Sequence, residues 1–394
     1  MRAHWSWPAA VLSAVILVAC ANDTTDTGAL STDGPAATTP APPADPSTDR
    51  PPTPTKIPPD PADPGPVTLA FAGDTHFEGQ LRARLDDPAT ALAPVAARLG
   101  AADITVVNLE TSIGTSGTPE PKRYTFQAPP TALTALAAAG VDVVTMANNH
   151  GLDFGAAGLT DTLAAASEPA GPRLDVVGIG ADAAQAFAPA VVDVRGTRVA
   201  VIGASVPDDP TADPTGQWAA TSTVGGLAVA LDPARLLRSV RQAGADAEIV
   251  VVYLHWGVQG ESCPSPSQTA LAAALADPAT GADVVVGSHT HQLQGAGLVG
   301  GSDTYVAYGL GNFAWYTQSS DATATTGVLT LTVDDGTVTG EQWAPARIGA
   351  DGLPAFATGA EAGRMTAARD ALRECAGLAP LPPTGGAGVD PGPG

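Results

Sequence analysis

Short apolar runs that stop at a polar motif recur along this chain, and the clearest lies between Asp283 and Gln294. Val284, Val285 and Val286 read as a strand buried on both faces. The run stops at Gly287 and delivers His289 and His291 beyond its carboxyl end. Residues two apart in extended chain project the same way, so both imidazoles are expected to face one point. The sequence has six histidines, of which His4 lies in an N-terminal apolar segment. The others, His76, His150, His255, His289 and His291, each sit in a short polar motif after an apolar run. Histidine is the commonest neutral nitrogen ligand, so the placement predicts a shared metal site.

The same punctuation recurs upstream. Val67 to Ala72 is followed by Gly73, Asp74, Thr75 and His76, an Asp-x-His that can set a carboxylate and an imidazole on one ion. The alternative role for Asp74 is a helix N-cap or turn residue. Ile104 to Val107 leads into Asn108, Leu109 and Glu110, and Val141 to Met146 into Asn148, Asn149 and His150. The Asn149 amide oxygen suits a metal. Its neighbour His150 must point elsewhere, as an acid or a hydrogen-bond donor to a transition state. Asn148 and Asp153 are expected to fix the turn through side-chain–backbone bonds. Ile249 to Leu254 ends in His255, Trp256 and Gly257, and Tyr305 to Tyr308 precedes Gly311, Asn312 and Phe313.

Between these runs the pattern predicts helices over 81–100, 132–139, 233–243, 268–275 and 364–375. A hairpin turn is expected at Gly196 and Thr197, and a closing hairpin over 327–333 and 337–345. Strands alternating with helices indicate an α/β fold. A basic-aromatic loop with Lys122, Arg123, Tyr124 and Phe126 stands out in an acidic chain, either as a substrate contact or as a solvated loop.

The termini read differently. Residues 1–20 have a signal-peptide pattern, with Arg2 before a short apolar stretch. Their end, Leu17, Val18, Ala19 and Cys20, resembles a bacterial lipobox, which implies a lipoprotein with Cys20 lipidated and anchored extracytoplasmically on the cell membrane. Residues 21–66 are a Pro/Thr/Asp-rich linker unable to bury a core, 67–345 form the main domain, 346–376 a C-terminal helical segment and 377–394 a disordered tail. Leu381 to Gly385 matches a sortase signal, but no apolar span follows, so the match is read as coincidence. For an exported chain, the remaining Cys263 and Cys375 predict a disulfide. The net charge of −22 excludes a nucleic-acid partner and means that an anionic ligand would need bound cations.

Taken in order, the motifs Gly73-Asp74, Asn108-Leu109-Glu110, Asn148-Asn149-His150, His255-Trp256-Gly257, His289-Thr290-His291 with Gln294, and Gly311-Asn312-Phe313 resemble the bacterial CapA family of capsule and poly-γ-glutamate biosynthesis. They also look like a variant of the calcineurin-like metallophosphoesterase set. The resemblance implies a four-layer α/β/β/α metallophosphatase-like sandwich with a metal-dependent hydrolase site at its strand ends. It implies Asp74, Asn149, His255, His289 and His291 as metal ligands, with His76 fitting the Asp-x-His, Glu110 as the bridging carboxylate and His150 as the catalytic histidine. The implied cofactors are two divalent transition metal ions, Mn, Fe or Zn. Lys122, Arg123 and Asn312 are candidate substrate contacts. The chain departs from the pattern at Gln259, where CapA proteins usually carry a glutamate. Other functions open to the chain are an exported phosphoesterase, or a non-catalytic subunit of a polymer synthase or exporter complex.

Overall fold

A strand buried over almost its whole length, as Val67–Thr75 is, has to lie inside a sheet with apolar layers on both faces. The computed structural model describes residues 65–168, 174–209 and 213–382, and in it this strand sits at the centre of the first of two large mixed sheets. Ile104–Leu109, Val143–Thr145 and Asp175–Val177 extend that sheet in parallel on one side. Thr325–Asp334, Thr337–Ile348 and Pro354–Phe356 extend it antiparallel on the other. The second sheet runs in the order Leu378–Ala379, Ala296–Val299, Tyr305–Ala307, Val284–Ser288, Ile249–His255, Thr197–Ser205 and Ala190–Val194. Its central strands are parallel and its edges antiparallel.

Residue parity shows how the sheets are stacked. Leu69, Phe71, Ile104 and Val106 from the first sheet share a core with Val251, Tyr253, Val284 and Val286 from the second. The alternate residues Ala70, Ala72, Val107 and Leu109 pack instead with Val95, Leu99, Leu133 and Leu136 of the helices on the outer face. Val250, Val252, Leu254 and Val285 do the same with Leu236, Val240, Leu271 and Leu275. The apolar faces therefore run helices, sheet, sheet, helices, an α/β fold of the expected class.

The helix expected over 81–100 is broken into a 3-10 turn, Gly79–Asp86, and a short α-helix, Ala93–Leu99. Pro88 lacks an N–H and disfavours helical backbone at the residue before it, which explains the break. The hairpin turn falls on Arg195 and Gly196, both at positive φ, one residue earlier than expected, and Val194 pairs with Thr197. The closing hairpin and the last helix, Gly359–Ala376, are present. Residues 346–376 continue the first sheet and brace it. Arg369 of the helix is paired with Glu341 and donates to the Tyr305 hydroxyl. A disulfide joins Cys375 on this helix to Cys263, across 112 residues of sequence. Among the described residues no helix is long and apolar enough to cross a membrane. The signal segment with Cys20, the linker and the tail beyond 382 lie outside the described residues.

Two glycines let the backbones close in where the polar motifs begin. A Cβ on Gly73 would meet the Gly311 carbonyl oxygen at 1.9 Å, and one on Gly287 would meet Tyr308 O at 2.0 Å and Trp256 Nε1 at 2.1 Å. Both contacts involve groups fixed by neighbouring hydrogen bonds, Asp74 N–H to Gly311 O and Trp256 Nε1–H to Tyr308 O. Gly287→Ala is expected to cost about 1–3 kcal/mol or more, the usual scale of overpacking, read as a lowered thermal midpoint.

Candidate metal centre

Strand parity carries some of the site residues inward without help. His255 shares the parity of Val251 and Tyr253, and Asn108 that of Ile104 and Val106, so both face the opposite sheet. Asp74 does not: Ala70 and Ala72 of the same parity face the outer helices. A register shift between Ala72 and Asp74 resets the alternation, as bulges do beside functional sites, and Asp74 turns toward the second sheet.

His289 and His291 need a stronger device. The strand ends at Ser288, and extended backbone would send both rings to the side of Val285, away from the first sheet. Both residues instead adopt positive φ, 96° and 56°, a strained conformation for non-glycine residues. The histidines therefore converge through strained turns, which corrects the expectation of extended chain. Their ring centroids are 6.3 Å apart.

The resulting cluster is buried, save for His291, which is partly exposed. Asp74 Oδ1 accepts from Asn108 Nδ2 at 2.8 Å, and its Oδ2 accepts from the His289 backbone N–H at 3.2 Å and lies 3.3 Å from His291 Nδ1. Burial pushes the Asp74 carboxyl up, but the His291 contact, the nearby His255 and the Asn108 amide outweigh it and hold it low. His255 Nε2 lies 2.9 Å from Asn149 Oδ1 and 3.0 Å from His289 Nδ1. Asn149 and His289, which follow strands of different sheets, thus meet at one imidazole nitrogen. Burial lowers the pKa of His255 well below the histidine range.

Glu110 is the odd group in this cluster. It is fully buried and neither carboxylate oxygen has a hydrogen-bond partner. Its nearest imidazole atoms, His150 Nε2 and His255 Nε2, stand 3.8 and 3.9 Å from Oε1. Burial first, and then the neighbouring Asp74 carboxylate, raise its pKa well above normal. Ligand atoms of Asp74, Glu110 and His255 lie within 4.8 Å of one another. An orphaned carboxylate beside converging oxygen and nitrogen lone pairs fits a divalent cation, since mixed N/O donors are what such ions take.

His150 faces this group from one side. Its Nδ1–H donates to Asp153 Oδ2 at 2.6 Å, which directs Nε2 toward Glu110, and Phe126 stacks on the ring at 4.0 Å. Burial keeps His150 well below its usual pKa. Asp153 does more than hold the turn: it also accepts the Phe126 N–H and forms an ion pair with Lys122 at 2.5 Å. Burial raises its carboxyl to about 7 and lowers the Lys122 ammonium, with the ion pair opposing both shifts.

Lys122 is turned inward, where Asp153 and the Asn149 carbonyl hold it, and does not line an open loop. Arg123 stacks on the exposed Tyr124 ring at 4.9 Å. Asn312 Oδ1 sits 2.8 Å from His291 Nδ1 and its amide donates to Thr323 O, which orients the histidine. His76 Nδ1 accepts the Glu78 N–H at 2.9 Å, while Nε2 has no partner. A neutral ring bonded this way carries its proton on Nε2 and has no free lone pair. It lies among Phe126, Trp315 and Tyr316. Asn148 bonds Leu109 O and the His150 N–H, a turn role as expected. Asp209 was not foreseen: its carboxylate lies 3.0 Å from His289 Nε2. It sits in a polar loop with no periodicity to mark it.

Fold and site together define an α/β protein that gathers buried carboxylates, amides and imidazoles where the strands of two sheets end. Residues 68–317 match the family described as bacterial capsule synthesis protein PGA_cap, and the chain belongs to that family. Among curated proteins it is similar to the capsule biosynthesis protein CapA of Bacillus anthracis, 35% identical over 48% of this chain and 44% of that protein. It is likewise similar to the PGA biosynthesis protein CapA of Bacillus subtilis, 34% identical over 46% and 45%. A "probable polyglutamine synthesis accessory protein" of Mycobacterium tuberculosis is 33% identical over 54% and 55%. The chain thus spans about half the length of the curated relatives it matches. Among solved structures, a novel phosphatase from Mycoplasma pneumoniae aligns with TM-score 0.44 and 14% identity over 72% of this chain and 94% of its own. A hypothetical protein from Thermus thermophilus aligns with TM-score 0.43 and 17% identity over 71% and 99%.

The raised Glu110 pKa has a consequence for the cation-free protein. The folded state holds this proton more tightly than the unfolded chain. Its contribution is therefore fully present below the normal glutamate pKa and is lost as pH rises toward the raised value. Glu110→Gln should stabilise chelator-treated protein at pH 7.5 by on the order of 1–3 kcal/mol, read as a raised thermal midpoint, with little change near pH 4. Equal midpoints for the two proteins across that range would refute the assignment.

Proposed function

We propose that the chain is a membrane-anchored, extracytoplasmic protein of capsule or poly-γ-glutamate synthesis whose buried site is a dinuclear, metal-dependent hydrolase centre. The carrying observation is Glu110, a buried carboxylate with two unpartnered oxygens between Asp74, His150 and His255. The names of the capsule and polyglutamate relatives support the setting. The Leu17 to Cys20 pattern supports the anchor, and the Cys263–Cys375 disulfide supports export. A polymer synthase or exporter complex is the proposed partner.

In this reading Glu110, Asn149, His255 and His289 hold one divalent ion, and Asp74, Glu110 and His291 the second, with Mn, Fe or Zn as the candidates. Bound ions of this kind supply Lewis acidity and an activated water. His76 takes no direct part in ligation, because its Nδ1 accepts a backbone N–H. His150 manages the proton: Asp153 holds its Nδ1–H, so Nε2 alone is presented to the reacting group. Protonation at Nε2 creates an imidazolium that the Asp153 carboxylate stabilises. Lys122 fixes Asp153 in turn and anchors the Asn149 backbone. In an acidic protein the ions would be the part of the molecule able to attract an anionic substrate.

Elemental analysis of the full chain, purified without chelator, tests this directly. Close to two transition-metal equivalents are expected, with loss of at least one in His289→Ala. A folded parent that stays empty after incubation with Mn, Fe and Zn would overturn the reading. With metal present, screens of phosphate esters and γ-glutamyl amides should show turnover that falls by roughly 100-fold or more in His150→Ala at unchanged metal content. Turnover retained in that variant would remove His150 from the chemistry.

A further inference from the structure

The strand Thr197–Ser205 passes into a short loop that ends at the second sheet's histidines. The Val206 N–H donates to the His255 carbonyl at 2.9 Å, which pins the loop beside that strand end. The two acids that follow then diverge. Asp208 accepts from the hydroxyls of Ser265 and Ser267, at the start of the helix Pro266–Leu275. Asp209 points the other way and is only 4% exposed. Its Oδ2 lies 3.0 Å from His289 Nε2 and accepts the Gln259 N–H at 2.9 Å.

We propose that Asp209 is a positioning residue that fixes the tautomer and the ring plane of His289. A neutral imidazole beside a carboxylate places its proton on the nitrogen that faces it. His289 then carries the proton on Nε2 and leaves the lone pair on Nδ1. That nitrogen is the one 3.0 Å from His255 Nε2 and in the company of Asn149 Oδ1. The strained backbone of His289 sets the position of its ring, and the carboxylate sets which atom is offered. The same acid ties the ring to the loop after His255 through Gln259, whose side-chain amide nitrogen is 3.2 Å from His291 Nε2. One brace therefore touches both histidines of the His-x-His. Sequence spacing does not reveal it, because Asp209 lies 80 residues from His289.

This inference rests on the metal reading of the site, and two measurements separate the two. Nitrogen-15 NMR of the chelator-treated full chain should show His289 as the Nε2–H tautomer. The Nδ1–H form in the parent would overturn the inference without reference to any ion or variant. Calorimetric titration with Mn²⁺ and with Zn²⁺ should then show Asp209→Leu binding roughly 10- to 100-fold more weakly than the parent. Asp209→Asn keeps an acceptor and should recover most of that loss. A parent that binds either ion, with Asp209→Leu folded and equally tight, sinks the role of Asp209 alone. A parent that binds neither sinks the metal reading and this inference with it.

Discussion

Buried between the two sheets, the hydroxyl of Tyr253 donates to the Ala72 carbonyl at 2.8 Å. This bond joins the second sheet to the first one residue before the first strand's irregularity and two residues before His255. A hydrogen bond in a dry interior is costly to leave unmade, so it sets the height at which the two sheets meet. Asp74 and Asn108 on one side, and His255 and Ser288 on the other, are brought within contact just beyond it. The apolar core below positions the sheets in bulk, and this bond, together with the His289 N–H donated to Asp74, ties their ends to each other.

Much of the architecture was legible because local apolar runs, glycines and polar motifs carry it. The motif positions, the alternation of strand and helix and the closing hairpin follow from short stretches of chain, and the disulfide from the two cysteines left beside Cys20. Where parity ran unbroken, as at Asn108 and His255, simple alternation also gave the right face. It failed at Asp74, His289 and His291, each of which reaches the centre through a backbone irregularity that no side-chain pattern announces. The helix over 81–100 failed for a plainer reason, since Pro88 outweighs the apolar spacing around it.

Side chains that support the site were the least legible. Lys122 stood in a loop that read as a substrate contact or a solvated loop, yet a buried carboxylate draws it inward, and Asp153 looked like a turn residue although it serves three partners at once. Asp209 stands among prolines and other acids that look ordinary in sequence. Such roles depend on which distant segment arrives opposite, and that is fixed only by the packing of whole layers. His76 shows the converse: its motif spelled a ligand, while its Nδ1 accepts a backbone N–H two residues on and its Nε2 has no hydrogen-bond partner.

The disulfide also bears on the order in which the molecule is completed. Cys263 follows the segment that carries Gln259, and Cys375 stands in the last helix, 112 residues later. A chain made or exported amino end first presents Cys263 long before its mate emerges. The loop at Cys263 therefore gains its covalent tether only once residue 375 is available, after every histidine motif has been made. Covalent closure thus comes after every histidine motif in chain order, and it links the loop beyond Gln259 to the helix that braces the first sheet.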